Sequence, residues 1–334
     1  MADLKYRKLA LEGEDSALYF ELFRKVYGNT APLENRWQWE YVGHPLREEL
    51  IIYAVQDGPD LAAVTTRLPF DLKVGDRIVR CYFSVDSMAL SSYRRQGLMR
   101  SLYELAMREM PLLYSKGAVP GMYNLLLKLG YQPITPNTYL VNYLAPFKLL
   151  FARVAGRPPA VRSSAKAFQA GADMLAVDRF GAEFDSFWER SAKGMEGIVV
   201  KNAAYMNWRY RDIPHKKYAA YYGIQAGKIT SLVVLGRNGS IGKIVDILWD
   251  GECPGEPDRA LRFALKYFRH AGCFKVLCWG TQRKLREALG ARRFFDRKET
   301  PRFSTYSASL PMAQFTRGED FHFVDGDGDY DFLG

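Results

Sequence analysis

The chain repeats itself, and the repeat limits what it can fold into more than any single motif does. Aligned without a gap at an offset of 169, 39-WEYVGHPLREELIIYAVQDG-58 and 208-WRYRDIPHKKYAAYYGIQAG-227 share Trp39/Trp208, Tyr41/Tyr210, Pro45/Pro214, Tyr53/Tyr222, Gln56/Gln225 and Gly58/Gly227. Six identities in twenty positions exceed the one or so, roughly, that chance gives at ordinary composition. Further on, Val85-Asp86 matches Val245-Asp246 and Leu129-Gly130 matches Leu289-Gly290, both at an offset of 160. A deletion of nine residues in the intervening hairpin reconciles the two offsets. A repeat of this period in 334 residues means two copies of one unit. The copies span 1–146 and 174–311. The connector 147–173 contains a Gly-Arg-Pro-Pro break, and an acidic tail follows at 312–334.

Within the first copy, apolar spacing predicts a strand at about 4–10, an amphipathic helix at about 14–27 and a short aromatic helix around Trp37 and Trp39. Three strands follow at about 50–56, 60–73 and 77–90, turning at Asp57-Gly58-Pro59 and Gly75-Asp76. A helix, a strand near 112–116, a helix ending at Gly130 and strands at about 131–135 and 138–145 complete the unit. Strands that meander and then alternate with helices predict an α/β fold, a mixed sheet flanked by helices in each copy. The 48% hydrophobic content is enough for two cores.

The stretch 92-SYRRQGLMRSLYELAMREM-110 leads from a strand through a tight turn into a helix with an apolar face of Leu98, Leu102, Leu105 and Ala106. The first N–H groups of a helix have no partner inside it and together amount to about half a positive charge. Gly97 lets the backbone approach an anion without a Cβ in the way, and Arg94, Arg95 and Arg100 add full charges. This composition suits a pyrophosphate. Judged on charge alone, it equally suits a solvated basic turn ahead of a surface helix.

In this setting, Arg94-x-x-Gly97-x-Met99 resembles the pyrophosphate loop of the GNAT acetyltransferase superfamily, Q/R-x-x-G-x-G/A, which also follows a fourth strand and opens a third helix. Met99 departs from the small residue of that motif, at a position where only the amide is used. The ending 126-LLKLGYQPI-134 is similar to the superfamily's Y-x-K-L-G-F. Strand order, loop and ending cover residues 4–145, and the repeat extends the likeness to about 311. The resemblance implies two tandem GNAT-like domains and a donor that is acetyl-CoA or another acyl-CoA. It puts the pantetheine against Met88, Ala89 and Leu90. The pyrophosphate falls on the amides of Arg95, Gln96, Gly97, Leu98 and Met99, between Arg94 and Arg100. The implied reaction is N-acetyl transfer to a small-molecule or other amine-bearing acceptor.

Such chemistry needs a base for the acceptor amine and an acid for the leaving thiolate. The family's usual tyrosine lies four residues before the glycine of the helix ending, where this chain has Leu126. Tyr123, a turn earlier, and Tyr114, on the preceding strand, are the substitutes. Asp86 is the best-placed carboxylate, although its recurrence as Asp246 also fits a role in holding the fold. At offset 160 the loop falls on Pro254-Gly255-Glu256-Pro257-Asp258-Arg259. There, proline removes an amide and the acids repel phosphate, so the second copy is expected to bind no CoA. Two other readings share these features. One is an aminoacyl or acyl transferase of cell-wall or polysaccharide assembly, and the other a CoA-sensing or RNA-binding protein without catalysis.

Charge bears on the partner. The net charge is +10, and six of the 37 acids lie in 319–334, which leaves 47 basic against 31 acidic groups in the rest. A basic body suits a polyanionic partner such as a nucleotide cofactor or RNA. The run 325-DGDGDYD-331 begins like a calcium loop but lacks its later glycine and glutamate, so a solvated acidic end is expected over a calcium site. The contrast of acidic tail and basic body also invites a contact of Asp325, Asp327 and Asp329 with the arginine-flanked cleft of the first copy or the acceptor channel beside it. No metal is expected, since His44, His215, His270 and His322 are far apart in sequence. Four scattered cysteines and the lack of a long apolar run point to a reduced, cytoplasmic protein without a membrane span. Trp39 and Trp208, which recur in the repeat, are expected in the core rather than on a base-stacking face.

Overall fold

The computed structural model describes residues 4–145, 168–253 and 255–328. Most of the connector, together with Pro254, Asp329 and Asp331, lies outside them. The first half begins with strand β1 (Leu4–Leu9), helix α1 (Glu14–Tyr27) and helix α2 (Ala31–Trp37), which runs on into a π-helical turn at Gln38–Val42. Acids in the first turn of α1, bases in its last turn and the left-handed Gly28 at its end fix its length. Strands β2 (Ile51–Asp57), β3 (Asp60–Val74) and β4 (Arg77–Ala89) form a meander. Helix α3 (Leu98–Glu109), strand β5 (Leu113–Ser115), helix α4 (Pro120–Lys128) and strands β6 (Gln132–Pro133) and β7 (Tyr139–Tyr143) follow.

The second half repeats this order with one strand added between its first two helices. It consists of β8 (Met174–Ala176), α5 (Ala182–Ala192), β9 (Gly197–Val199), α6 (Ala203–Tyr210), β10 (Ala219–Gln225), β11 (Lys228–Asn238), β12 (Ile241–Trp249), α7 (Glu256–His270), β13 (Lys275–Trp279), α8 (Arg283–Ala291), β14 (Phe295–Asp296) and β15 (Ser304–Tyr306). A short helix, α9 (Met312–Thr316), and strand β16 (Phe321–His322) close the chain. The fold is thus two GNAT-like α/β units, each a mixed sheet flanked by helices. The length difference inferred from the two offsets falls in the β3–β4 hairpin, whose strands of 15 and 13 residues correspond to 11 and 9 in β11–β12. The extra length reaches into the other half, where Leu72–Val74 pair with β9.

The halves also exchange their final strands. β15 lies between β5 and β6 in the first sheet, and β7 lies between β13 and β14 in the second. Trp39 and Trp208 meet where the two units face each other. Their rings stack at 5.1 Å, and each indole N–H donates to the other's backbone carbonyl, at 2.5 and 2.7 Å. Both are buried, in the core as expected. The repeated Val-Asp pair marks a bulge in each copy, as β4 slips register against β3 around Asp86 and β12 slips against β11 at Val245. The other repeated residue beside it is a tyrosine: Tyr41 donates to Asp86, and Tyr210 to Asp246 at 2.8 Å.

Candidate active site

β4 and β5 run parallel and pair at only two positions, Tyr82 with Leu113 and Phe83 with Tyr114. Beyond them the strands part, and a cavity of about 820 Å³ opens between them. Ser84 through Ala89 line one wall and Ser115 through Val119 the other, with Arg94, Met99 and Tyr103 at the α3 side. The bulge at Asp86, whose φ is +45°, bends β4 where the opening begins.

The turn into α3 has the conformation its sequence predicts. Gly97 caps the helix with φ +84°, a left-handed geometry that disfavours any Cβ, and Arg95 shares that region at +67°. Leu98, Leu102 and Ala106 are buried against the sheet, which fixes the amides at the helix start, and Leu105 packs at the edge. Arg94, Arg95, Gln96, Gly97 and Arg100 are exposed. Gln96 donates to the Ser92 carbonyl at 2.8 Å and Arg100 pairs with Glu104 at 3.2 Å. Among the described residues, Arg94 and Arg95 form no ion pair, so their charges are available to an anion. Met88, Ala89, Arg94 and Met99 line the cavity; Leu90 adjoins it on the strand end, and Leu98 faces the core.

The residues considered for proton transfer are not gathered at one point. Asp86 lines the cavity, but both its oxygens accept from the Arg36 guanidinium, at 2.7 and 2.6 Å, and one also accepts from Tyr41. Arg36 is held in turn by Glu40. Tyr114 is fully buried among Phe70, Phe83, Phe303 and Phe323, and burial drives its hydroxyl far above the usual range. Tyr123 is half-buried on α4 and is not a cavity residue, although its neighbour Met122 is. Sequence reasoning missed Tyr103, whose hydroxyl lies 2.9 Å from Ser87 Oγ at the cavity wall and whose ring lies over the Arg67 guanidinium at 4.2 Å. Its place on the buried side of α3, one turn past Met99, was the available signal.

The corresponding opening in the second half is filled. β12 and β13 pair from Ile241 to Ile244 and then part, and residues 321–327 run into the gap. Val324 bridges to Gly280, Phe323 and Thr281 exchange hydrogen bonds, and His322 Nε2 lies 2.8 Å from the Ile247 carbonyl. Asp327 reaches Lys201 at 2.7 Å, and Lys201 reaches Asp246 at 2.7 Å. Burial opposes the charge on Lys201, but the two carboxylates raise its pKa above the usual value. At the head of α7, the buried Glu256 carboxylate takes Gln225 and Arg259. The expectation of a solvated acidic end is corrected here, because Asp325 and Asp327 are both buried. Each had cations waiting in the fold, Lys116 and Lys243 for Asp325 and Lys201 for Asp327. These pairings also occupy two of the four carboxylates in the run that begins like a calcium loop.

With this geometry in view, likeness to known proteins is informative. The family model described as an acetyltransferase (GNAT) domain matches residues 5–132. Residues 5–132 are thus a GNAT domain. Solved structures extend the GNAT fold over the second half as well. A probable N-acyltransferase of unknown function from Enterococcus faecalis is 13% identical with a TM-score of 0.63, covering 92% of this chain and 73% of that one. A GCN5-related N-acetyltransferase from Kribbella flavida is 15% identical with a TM-score of 0.62, covering 95% and 74%. Saccharomyces cerevisiae N-myristoyltransferase, solved with bound myristoyl-CoA, is 13% identical with a TM-score of 0.59, covering 92% and 82%. No curated protein matches the sequence. Among the described residues, no helix is long and apolar enough to cross a membrane.

Proposed function

We propose that this protein is an acyl-CoA-dependent N-acyltransferase, with acetyl-CoA as donor and the β4–β5 opening of the first half as its site. One observation carries the reading: a parted pair of strands leads directly to a glycine-capped helix start flanked by two unpaired arginines. In this reading the pyrophosphate takes the amides from Arg95 to Met99 and the charges of Arg94 and Arg95. The pantetheine lies along Met88–Leu90, which brings the thioester to the wall formed by Ser84–Ser87 and Ser115. That the N-myristoyltransferase neighbour holds an acyl-CoA in the same fold supports this donor class.

Asp86 has little capacity left as a proton acceptor, since Arg36 engages both oxygens. Its role here is to present a fixed negative charge that draws the acceptor amine to the thioester carbon. The amine attacks that carbon, the C–S bond breaks, CoA leaves as thiolate, and the proton shed by the amine passes to water in the open cavity.

Thiol release from acetyl-CoA across a panel of amines, paired with calorimetry of CoA binding, tests the reading. An Arg94→Glu/Arg95→Glu variant is expected to lose at least about 100-fold in CoA affinity, because two attractive charges on the phosphates become repulsive. Unchanged affinity in the folded variant contradicts it. Tight CoA binding by the wild-type protein, with no turnover of any amine, favours a CoA sensor instead.

A further inference from the structure

The residues lining the first-half cavity come from residues 26–125 with one exception, Lys243 on β12 of the second half. Its ammonium lies 3.2 Å from Asp325 Oδ2, and its side chain is 24% exposed. Lys116, also a cavity residue, lies 3.2 Å from Asp325 Oδ1 and is only 2% exposed. It rests over the Trp279 ring at 3.8 Å, while the Tyr139 hydroxyl donates to the same carboxylate oxygen at 2.8 Å. Among the described residues, the Asp325 carboxylate is therefore shared by two ammonium groups. At Asp86 the arrangement differs, because its carboxylate engages a guanidinium, Arg36, that also engages Glu40. One cavity thus has a carboxylate pole on β4, at Asp86, and an ammonium pole at Lys116 and Lys243, where the second half meets it.

We infer that the acceptor carries an anionic group, a carboxylate or a phosphate, close to its amine, and that Lys243, backed by Lys116, is the residue that recognises it. The inference rests on the acyltransferase reading and names its substrate class. A zwitterionic acceptor answers both poles at once, with the ammonium toward Asp86 and the anion toward Lys243. The partly exposed Lys243 is the mobile partner: it can turn from Asp325 to the incoming anion while Lys116 continues to neutralise the aspartate. This gives the second half a part in the reaction although its own cleft is closed. Charge-assisted hydrogen bonds in a half-buried site are strong enough for about 10- to 100-fold selectivity.

The test uses acceptor pairs that differ in the anion, glycine against glycinamide and phosphoethanolamine against ethanolamine, assayed with acetyl-CoA on the full chain and titrated into the CoA-saturated protein. The anionic member of at least one pair is expected to bind at least about 10-fold more tightly and to show the lower KM. Which pair responds distinguishes carboxylate from phosphate. Lys243→Met is expected to abolish the difference, and Lys243→Arg to keep it. Equal handling of both pairs by the wild-type protein overturns the inference alone. So does a Lys243→Met variant that keeps the preference and instead loses CoA affinity, since the lysine then faces the cofactor. A wild-type protein that binds no CoA overturns the acyltransferase reading and this inference with it.

Discussion

Arg36 stands between two carboxylates and is itself only 5% exposed. Replacing it with methionine removes the guanidinium that both Glu40 and Asp86 engage at this largely buried position. The expected loss is about 3–5 kcal/mol of unfolding free energy, read as a lower urea midpoint. A loss under about 1 kcal/mol means that solvent already screens these charges. Two histidines set a pH limit on the fold. Burial depresses His44 to about 3 and His322 to about 4, against an ordinary 6.5. His44 Nδ1 accepts from the Leu46 amide at 3.0 Å, which requires a neutral ring. Below about 6.5 the unfolded chain takes up protons that the folded chain refuses, so stability is complete above that pH and is lost as the pH falls toward 4. A shift of this size is worth on the order of 3 kcal/mol per ring. Calorimetric melting temperatures should begin to fall between pH 6.5 and 5, and a flat profile there contradicts the assignment of both rings as neutral.

At the scale of elements, the plug in the second cleft depends on a glycine. A Cβ on Gly326 would fall 1.8 Å from the Tyr210 hydroxyl oxygen, the group that donates to Asp246. Arg209 clamps the same turn through the Gly326 and Gly328 carbonyls at 2.9 and 3.0 Å. Gly326→Ala must push back either the tail or the tyrosine, at a cost of about 1–3 kcal/mol. The measurement is the urea midpoint together with amide exchange along residues 321–327, and unaltered protection there contradicts the plug. The shape of the turn at Arg94–Met99 was legible in the sequence because it is local: a glycine, a helix start and a buried face of Leu98, Leu102 and Ala106 are read within about fifteen residues. The tail was not. Composition gives the sign of Asp325 and Asp327 but says nothing of Lys116, Lys201 and Lys243, which only the folded chain brings to them. Asp86 was legible as a special position through its repeat, yet Arg36, fifty residues earlier, decides what its carboxylate can do.

At the scale of the whole molecule, the repeat predicted two units but not that each completes the other. β7 and β15 have the same alternation whichever sheet they join, so periodicity cannot reveal the exchange. The exchange and the Trp39–Trp208 pair make the halves one folding unit, in which a closed second half supports an open first half. The proposed function turns on this asymmetry: one cleft open, where the acyl-CoA is proposed to bind, and one filled by the chain's own tail. Calorimetric titration of the full chain with CoA tests it most directly. The predicted result is saturable binding at one CoA per chain that disappears in the Arg94→Glu/Arg95→Glu variant. Two CoA per chain, or none bound by the folded wild-type protein, would contradict it.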